Sequence, residues 1–277
     1  RNRMSLERAL ADCQNLFHVA ADYRLWVPDP DTMHAINVEG TRSLITAASN
    51  AGLEHIVYTS SVATLGLTAD GTPANEETPC SLESVVGNYK RSKFLAEQVV
   101  MQLTQELSLP LVIVNPSTPI GPGDVRPTPT GRLVVDALTE RMPAYVNTGL
   151  NIAHVDDIAF GHLLALQHGK VGERYILGGD NMTLFQILQS IDEINGLSQK
   201  RIKIPTDLML PIAWCMEKIA TLTHTEPRAT QDSIRMAKKQ MYFSSDKAMQ
   251  QLGYQYRPAY DALKDAVSWF KENDYCH

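Results

Sequence analysis

The chain has few cysteines, no basic tract and no long apolar run, and each shortage closes off a class of protein. Its four cysteines, Cys13, Cys80, Cys215 and Cys276, form no C-x-x-C pair, so neither a zinc knuckle nor a disulfide framework is expected and no metal ligands are assigned. Such cysteine use suits a reducing compartment, and a cytoplasmic location is expected. Lys and Arg number 25 against 31 Asp and Glu, a formal net charge of -6, so no nucleic-acid partner is expected of a chain with so little to set against phosphates. The most apolar stretch, Leu208 to Leu222, is broken by Pro211 and by Glu217-Lys218. It is too short for a transmembrane segment and reads as an amphipathic helix of a globular domain. No signal-peptide apolar region opens the chain. What remains, 277 residues with 44% hydrophobic and 20% charged, is enough for one large α/β unit or a main domain with a smaller one appended.

Short β-branched or apolar runs alternate with helical patterns through the first half, the mark of a parallel sheet with crossover helices. Residues 1–12 read as the end of a helix that leads into a buried strand, Leu16 to Ala20. A helix is predicted over 33–51, closed by Gly52 as its left-handed cap, and a strand over 56–59 follows. A second helix is predicted over 88–107, with Pro110 ending it before the strand Leu111 to Val114. From Pro122 to Gly131 the chain turns rich in proline and glycine, and Pro205, Pro211, Pro227 and Pro258 punctuate later helices. Residues 1–121 with about 150–180 are expected to form the sheet domain, and about 122–149 with 181–277 a smaller, mostly helical one.

Tyr89 and Lys93 lie four positions apart on a predicted helix, which puts both side chains on one face. An ammonium beside a phenol favours the ionised form of a group whose ordinary pKa is about 10, which would ease proton transfer. Alone, Y-x-x-x-K is a weak signal that commonly marks solvated surface. The preceding strand, however, ends in Thr59-Ser60-Ser61, and open α/β sheets bind ligands at the carboxyl ends of their strands. The next strand ends in Asn115-Pro116-Ser117, and the first in Ala20-Ala21, where small side chains let a ligand approach the backbone. Three strand ends thus share one crevice, and this order of features points to catalysis rather than to a turn.

The strings His18-Val19-Ala20-Ala21, Asn37-Val38-Glu39-Gly40-Thr41, Tyr58-Thr59-Ser60-Ser61-Val62-Ala63-Thr64, Tyr89-Lys90-Arg91-Ser92-Lys93, Asn115-Pro116-Ser117 and His154-Val155-Asp156-Asp157 resemble the extended short-chain dehydrogenases/reductases. More narrowly, Phe17 to Pro30, Asn115 to Gly123 and Tyr145 to Asp157 are similar to hopanoid-associated sugar epimerases, also labelled dihydroflavonol 4-reductase-like. The resemblance covers essentially the whole chain. It implies a Rossmann-like doubly wound sheet that binds NAD or NADP and a smaller substrate domain. It further implies that Tyr89 is the acid/base, that Lys93 holds the nicotinamide ribose, and that Ser61 hydrogen-bonds the reacting oxygen. Ala20 and Ala21 would face the adenosine half, Asn37 would steady the central helix and a water near Lys93, and Thr59, Ser60, Pro116 and Ser117 would complete the cofactor side. Arg24, Ser61, Thr64, Thr118 and Arg132 would meet the substrate, with Arg24, Arg126 and Arg132 placed to pair with a phosphate or carboxylate. His154 and Asp156 would organise the domain junction.

The implied activity is NAD(P)-dependent epimerisation or oxidoreduction of a sugar or nucleotide-sugar through a transient ketone. The alternatives are NADPH-dependent ketone reduction, as in dihydroflavonol reductases, and a non-catalytic cofactor-binding regulatory protein. Thr118 stands where sugar-nucleotide epimerases often carry Asn before the N-x-x-G-P glycine, which leaves room for ketone reduction. The family pattern also begins with a strand, a glycine-rich turn and a helix whose N-terminus takes the pyrophosphate. This sequence lacks them, and with them the residue that separates NAD from NADP. About 60 residues, two βα units at about 30 each, are expected to have been omitted or truncated, since a sheet without a central strand would leave backbone groups unpaired. A homodimer pairing the helices at 33–51 and 88–107 into a four-helix bundle is also implied.

Overall fold

The computed structural model describes residues 2–276 apart from 25, 28 and 224–229. Pro227, expected to punctuate the C-terminal helices, lies outside the described residues. In chain order the first elements are α1 (Arg3–Leu10), β1 (Asn15–His18), α2 (Pro30–His34), a π-helical turn (Ala35–Glu39), α3 (Gly40–Ala51), β2 (His55–Thr59), a 3₁₀ turn (Val62–Thr64), α4 (Asn88–Glu106), β3 (Leu111–Pro116) and β4 (Thr118–Ile120). There follow α5 (Pro129–Leu138), β5 (Ala144–Tyr145), β6 (Gly149–His154), α6 (Val155–His168), β7 (Arg174–Leu177), β8 (Asp180–Thr183) and α7 (Leu184–Asn195). The last are β9 (Ile202–Lys203), α8 (Thr206–Thr223), α9 (Gln231–Met236), β10 (Gln240–Met241), α10 (Asp246–Leu252) and α11 (Ala259–Glu272).

The main sheet is parallel, in the order β1-β2-β3-β7. Alternate residues of a strand point to opposite faces. Ile56 and Tyr58 of β2 therefore pack with Ile45, Ala48, Ala96 and Val100 of α3 and α4, while Val57 between them joins Ile158, Ala165, Ala248 and Leu252 of α6 and α10. Covering both faces is what makes β2 and β3 read as continuous apolar runs. Among the described residues β1 pairs only with β2, and Phe17 and Val19 beside this edge are exposed.

The helix predicted over 33–51 is three pieces. Pro30 opens α2 behind the Asp29 cap, which accepts a hydrogen bond from the Asp31 amide, and the π-helical turn interrupts the run before α3 ends at Gly52 as expected, at φ 68°.

The chain leaves β3 at Pro116 and enters a second sheet with β4 at Thr118, so Ser117 marks the crossing. That sheet runs β10-β6-β4, with β8 antiparallel to β6. Its core packs Ile120 and Ile152 against Val134, Ile187, Leu188, Leu263 and Phe270 from α5, α7 and α11. The two cores are interwoven in sequence: β6 belongs to the second, whereas α6 and α10 return to the first. Among the described residues no helix is long and apolar enough to cross a membrane.

Candidate active site

Tyr89 lies in the first turn of α4, whose N-cap is Gly87 at φ 90°, a positive φ that favours glycine. Lys93 follows one turn later. The half-buried Tyr89 phenol is held above its usual pKa by desolvation and drawn partly back by its hydrogen bond with Ser61. This corrects the expected lowering by Lys93. The Lys93 ammonium instead donates to the Thr59 carbonyl at 2.8 Å and lies 5.1 Å from the centre of the Tyr58 ring. Only 4% exposed, Lys93 is itself brought down to about 8 by burial, against the pull of Glu97.

A buried polar network fixes Ser61. Asn115 Nδ2 donates to the Ser61 carbonyl at 3.0 Å and to Glu97 at 2.8 Å. The Thr64 hydroxyl, with one proton to give, lies 2.8 Å from the same carbonyl and 2.9 Å from Glu97. Arg174 of β7 closes the network on Glu97 at 3.1 Å. Thr64, expected to touch substrate, is 1% exposed and turns into this support instead. Thr59 presents its side chain to His162, 2.9 Å from the ring Nε2.

On the β1 side, Ala20 and Ala21 line a cavity of about 520 Å³ together with His18, Tyr23, Ile36 and Gly40. Asn37, at the centre of the π-helical turn, accepts from the Asp22 amide at 2.7 Å, and its Nδ2 donates to the Asp22 carbonyl at 2.8 Å and to Ser92 at 2.9 Å. Ser92 in turn donates to the Tyr89 carbonyl, so Asn37 ties the loop after β1 to the helix carrying Tyr89 and Lys93. Arg24 borders this cavity, not the substrate side, and Asp22 binds its guanidinium at 2.6 and 2.9 Å. Burial, with the Lys93 charge adding to it, pushes His18 down to about 4. Among the described residues, the Oγ atoms of Ser60 and Ser117 are buried without a hydrogen-bond partner. Two unpaired hydroxyls and an ammonium at the strand ends, beside a groove floored by alanines, fit the ribose and amide of a nicotinamide cofactor.

A second cavity, also about 520 Å³, opens beyond Ser61 and Tyr89 and draws walls from both cores. Ser117 and Thr118 line it, as do Leu65, Val85, Leu150 and Phe243. Arg132 is exposed on α5 and Arg126 on the loop before it, and neither lines this cavity. The cations that do are Lys90, Arg235 and Lys239, all missed by the sequence reading. Lys90 adjoins Tyr89 and was open to discovery, but nothing local marks the other two. His154 is fully buried and accepts from the Asp156 amide as the cap of α6, and its Nε2 lies 3.2 Å from Asp265 of α11.

A parallel sheet with serine, tyrosine and lysine at its carboxyl edge, between a small-residue groove and a second cavity, defines an oxidoreductase that works with a nicotinamide cofactor. The chain belongs to the NAD dependent epimerase/dehydratase family, which matches residues 1–178. It is 44% identical over 278 residues to a Synechocystis sp. protein provisionally named dihydroflavonol 4-reductase, covering 99% of this chain and 81% of that one. It is 33% identical to sterol demethylase protein B of Methylococcus capsulatus, covering 98% and 83%. The crystal structure of gox2253 superposes with a TM-score of 0.89 at 52% identity, covering 100% of this chain and 84% of that one.

Proposed function

We propose that this enzyme reduces a ketone on a largely apolar substrate, with Tyr89 as the proton donor. The observation that carries the reading is a phenol held protonated at neutral pH, hydrogen-bonded to Ser61, at the mouth of a cavity walled by Leu65, Val85, Leu150 and Phe243. A bound nicotinamide supplies the hydride. Ser61 orients the carbonyl oxygen, and Tyr89 gives that oxygen a proton as negative charge develops on it. Lys93, Ser60 and Ser117 would hold the nicotinamide end of the cofactor, Ala20 and Ala21 would admit its adenosine half, and Asn37 keeps the loop and helix in register. The similarity to sterol demethylase protein B supports a largely apolar substrate, and that to a protein provisionally named dihydroflavonol 4-reductase supports ketone reduction.

The second reading, supported by the family's epimerases, is a sugar or nucleotide-sugar oxidised to a transient ketone and reduced from its other face. It uses the same residues, and product analysis separates the two: a new alcohol with oxidised cofactor, or an epimer with none consumed. Tyr89→Phe should abolish turnover in either case and leave cofactor affinity unchanged; undiminished turnover refutes the assignment. Parallel titration with NAD and NADP decides the cofactor. We also infer a homodimer through α3 and α4, tested by solution scattering, where a monomer refutes it.

A further inference from the structure

We propose that the substrate carries an anionic group, a carboxylate or phosphate monoester, on an otherwise apolar body, and that Lys90, seconded by Lys239 and Arg235, recognises it. The inference rests on reading this cavity as the substrate site. Its described lining holds these three cations and no Asp or Glu, in a chain where acids outnumber bases 31 to 25. A charge so arranged is not average surface.

Lys90 is half-buried, and its ammonium meets Met241 Sδ at 3.7 Å, a weak acceptor that returns little of the lost hydration. Buried lysines are ordinarily paired with an opposite charge. A cation, Lys239, shares this wall: burial first, and then Lys239, bring Lys90 down to about 8, with the Cys80 thiol opposing. The Lys239 side chain makes no ion pair among the described residues, and Arg235 makes a loose one, 3.4 Å, with the partly exposed Asp232. An anion placed between Lys90 and Lys239 relieves their repulsion and supplies the missing acceptor, so its binding is favoured by the cost the unliganded site carries. Because Lys90 and Tyr89 both line this cavity, the anion and the reacting carbonyl are held within it together. Among the remaining walls Leu65, Val85, Leu150, Met236 and Phe243 offer an anionic substrate's body apolar contact.

The test is calorimetric titration of the full chain with octanoate, octyl phosphate and neutral octanol. At least one anion should bind about tenfold or more tightly than octanol, as one charge-assisted hydrogen bond would give. The better anion identifies the headgroup. In Lys90→Met that preference should collapse to near parity, while Lys239→Gln, at an exposed position that does not endanger folding, should reduce it about threefold. Equal binding of anions and octanol by the native chain, or a preference that survives both substitutions, overturns the proposal. Failure here with turnover still lost in Tyr89→Phe condemns only the anion site; turnover retained in Tyr89→Phe condemns the reading beneath it.

Discussion

At the floor of the crevice the buried acid has its partners in place, whereas on the cavity wall the cations face one another. Glu97, 1% exposed, is met by Arg174, Asn115 and Thr64; Lys90 is met by a thioether and a like charge. Both regions meet on one helix, α4. The carboxylate of Glu97 is met within the protein, and the network on it holds the Ser61 carbonyl in place, which is what preorganised catalysis requires. The wall is left to be satisfied from outside, which is what recognition requires. A carboxylate met within the protein and cations left open to a ligand therefore mark two different tasks within one site.

The comparison can be broken at several points. Tyr89→Phe removes the proton donor and should lower kcat by about 10²–10⁴-fold with cofactor affinity unchanged, read by initial rates and by fluorescence titration. Next in size, Glu97→Ala takes from Arg174 and Asn115 their charged acceptor and leaves them the Glu76 and Ser61 carbonyls. It should cost about 3 kcal/mol in urea unfolding, whereas breaking a solvated pair such as Arg3 with Glu7 should leave the midpoint nearly unmoved. Equal small losses would show that the floor network is not what holds the site.

A third check uses pH. Lys93 has a folded pKa of about 8, below its ordinary 10.5, so its charge fades as pH rises through about 8 and kcat/KM should fall there. The unfolded chain then binds more protons than the folded one between about 8 and 10.5, and the contribution of Lys93 to stability rises with pH across that window. Loss of activity with intact or improved melting separates the two; a flat rate profile would remove Lys93 from the chemistry. The smallest effect is expected of Ser60→Ala. Its hydroxyl is buried without a partner, so stability should change by less than about 1 kcal/mol in either direction, while cofactor affinity falls. Unchanged cofactor affinity would take Ser60 out of the cofactor site.

Much of the floor was legible before any coordinates. The i, i+4 spacing of Tyr89 and Lys93 and the Thr59-Ser60-Ser61 strand end are local patterns, and local geometry carried them into the fold. The direction of each group was not legible. Lys93 was expected to act on Tyr89, yet in the fold it serves the Thr59 carbonyl. The family resemblance placed Thr64 with the substrate, but the 3₁₀ turn at Val62–Thr64 swings it inward to Glu97. Arg24 had Asp22 two residues away and could have been read as paired. Arg174 and Glu97 lie 77 positions apart and Lys90 and Met241 lie 151 apart, and no pattern confined to a window of residues brings such groups together.

By itself the sequence determined the strands and helices of the first three β units in outline, where α3 stops, and which reactive side chains share a helix face, because dihedral preference and apolar period act over a few residues. Only the tertiary structure decided which hydroxyls are tied down and which stay unpaired, and that Lys90, Arg235 and Lys239 share one wall. Those outcomes depend on burial and on charges brought close from distant parts of the chain, and desolvation is a property of the packed molecule rather than of any segment.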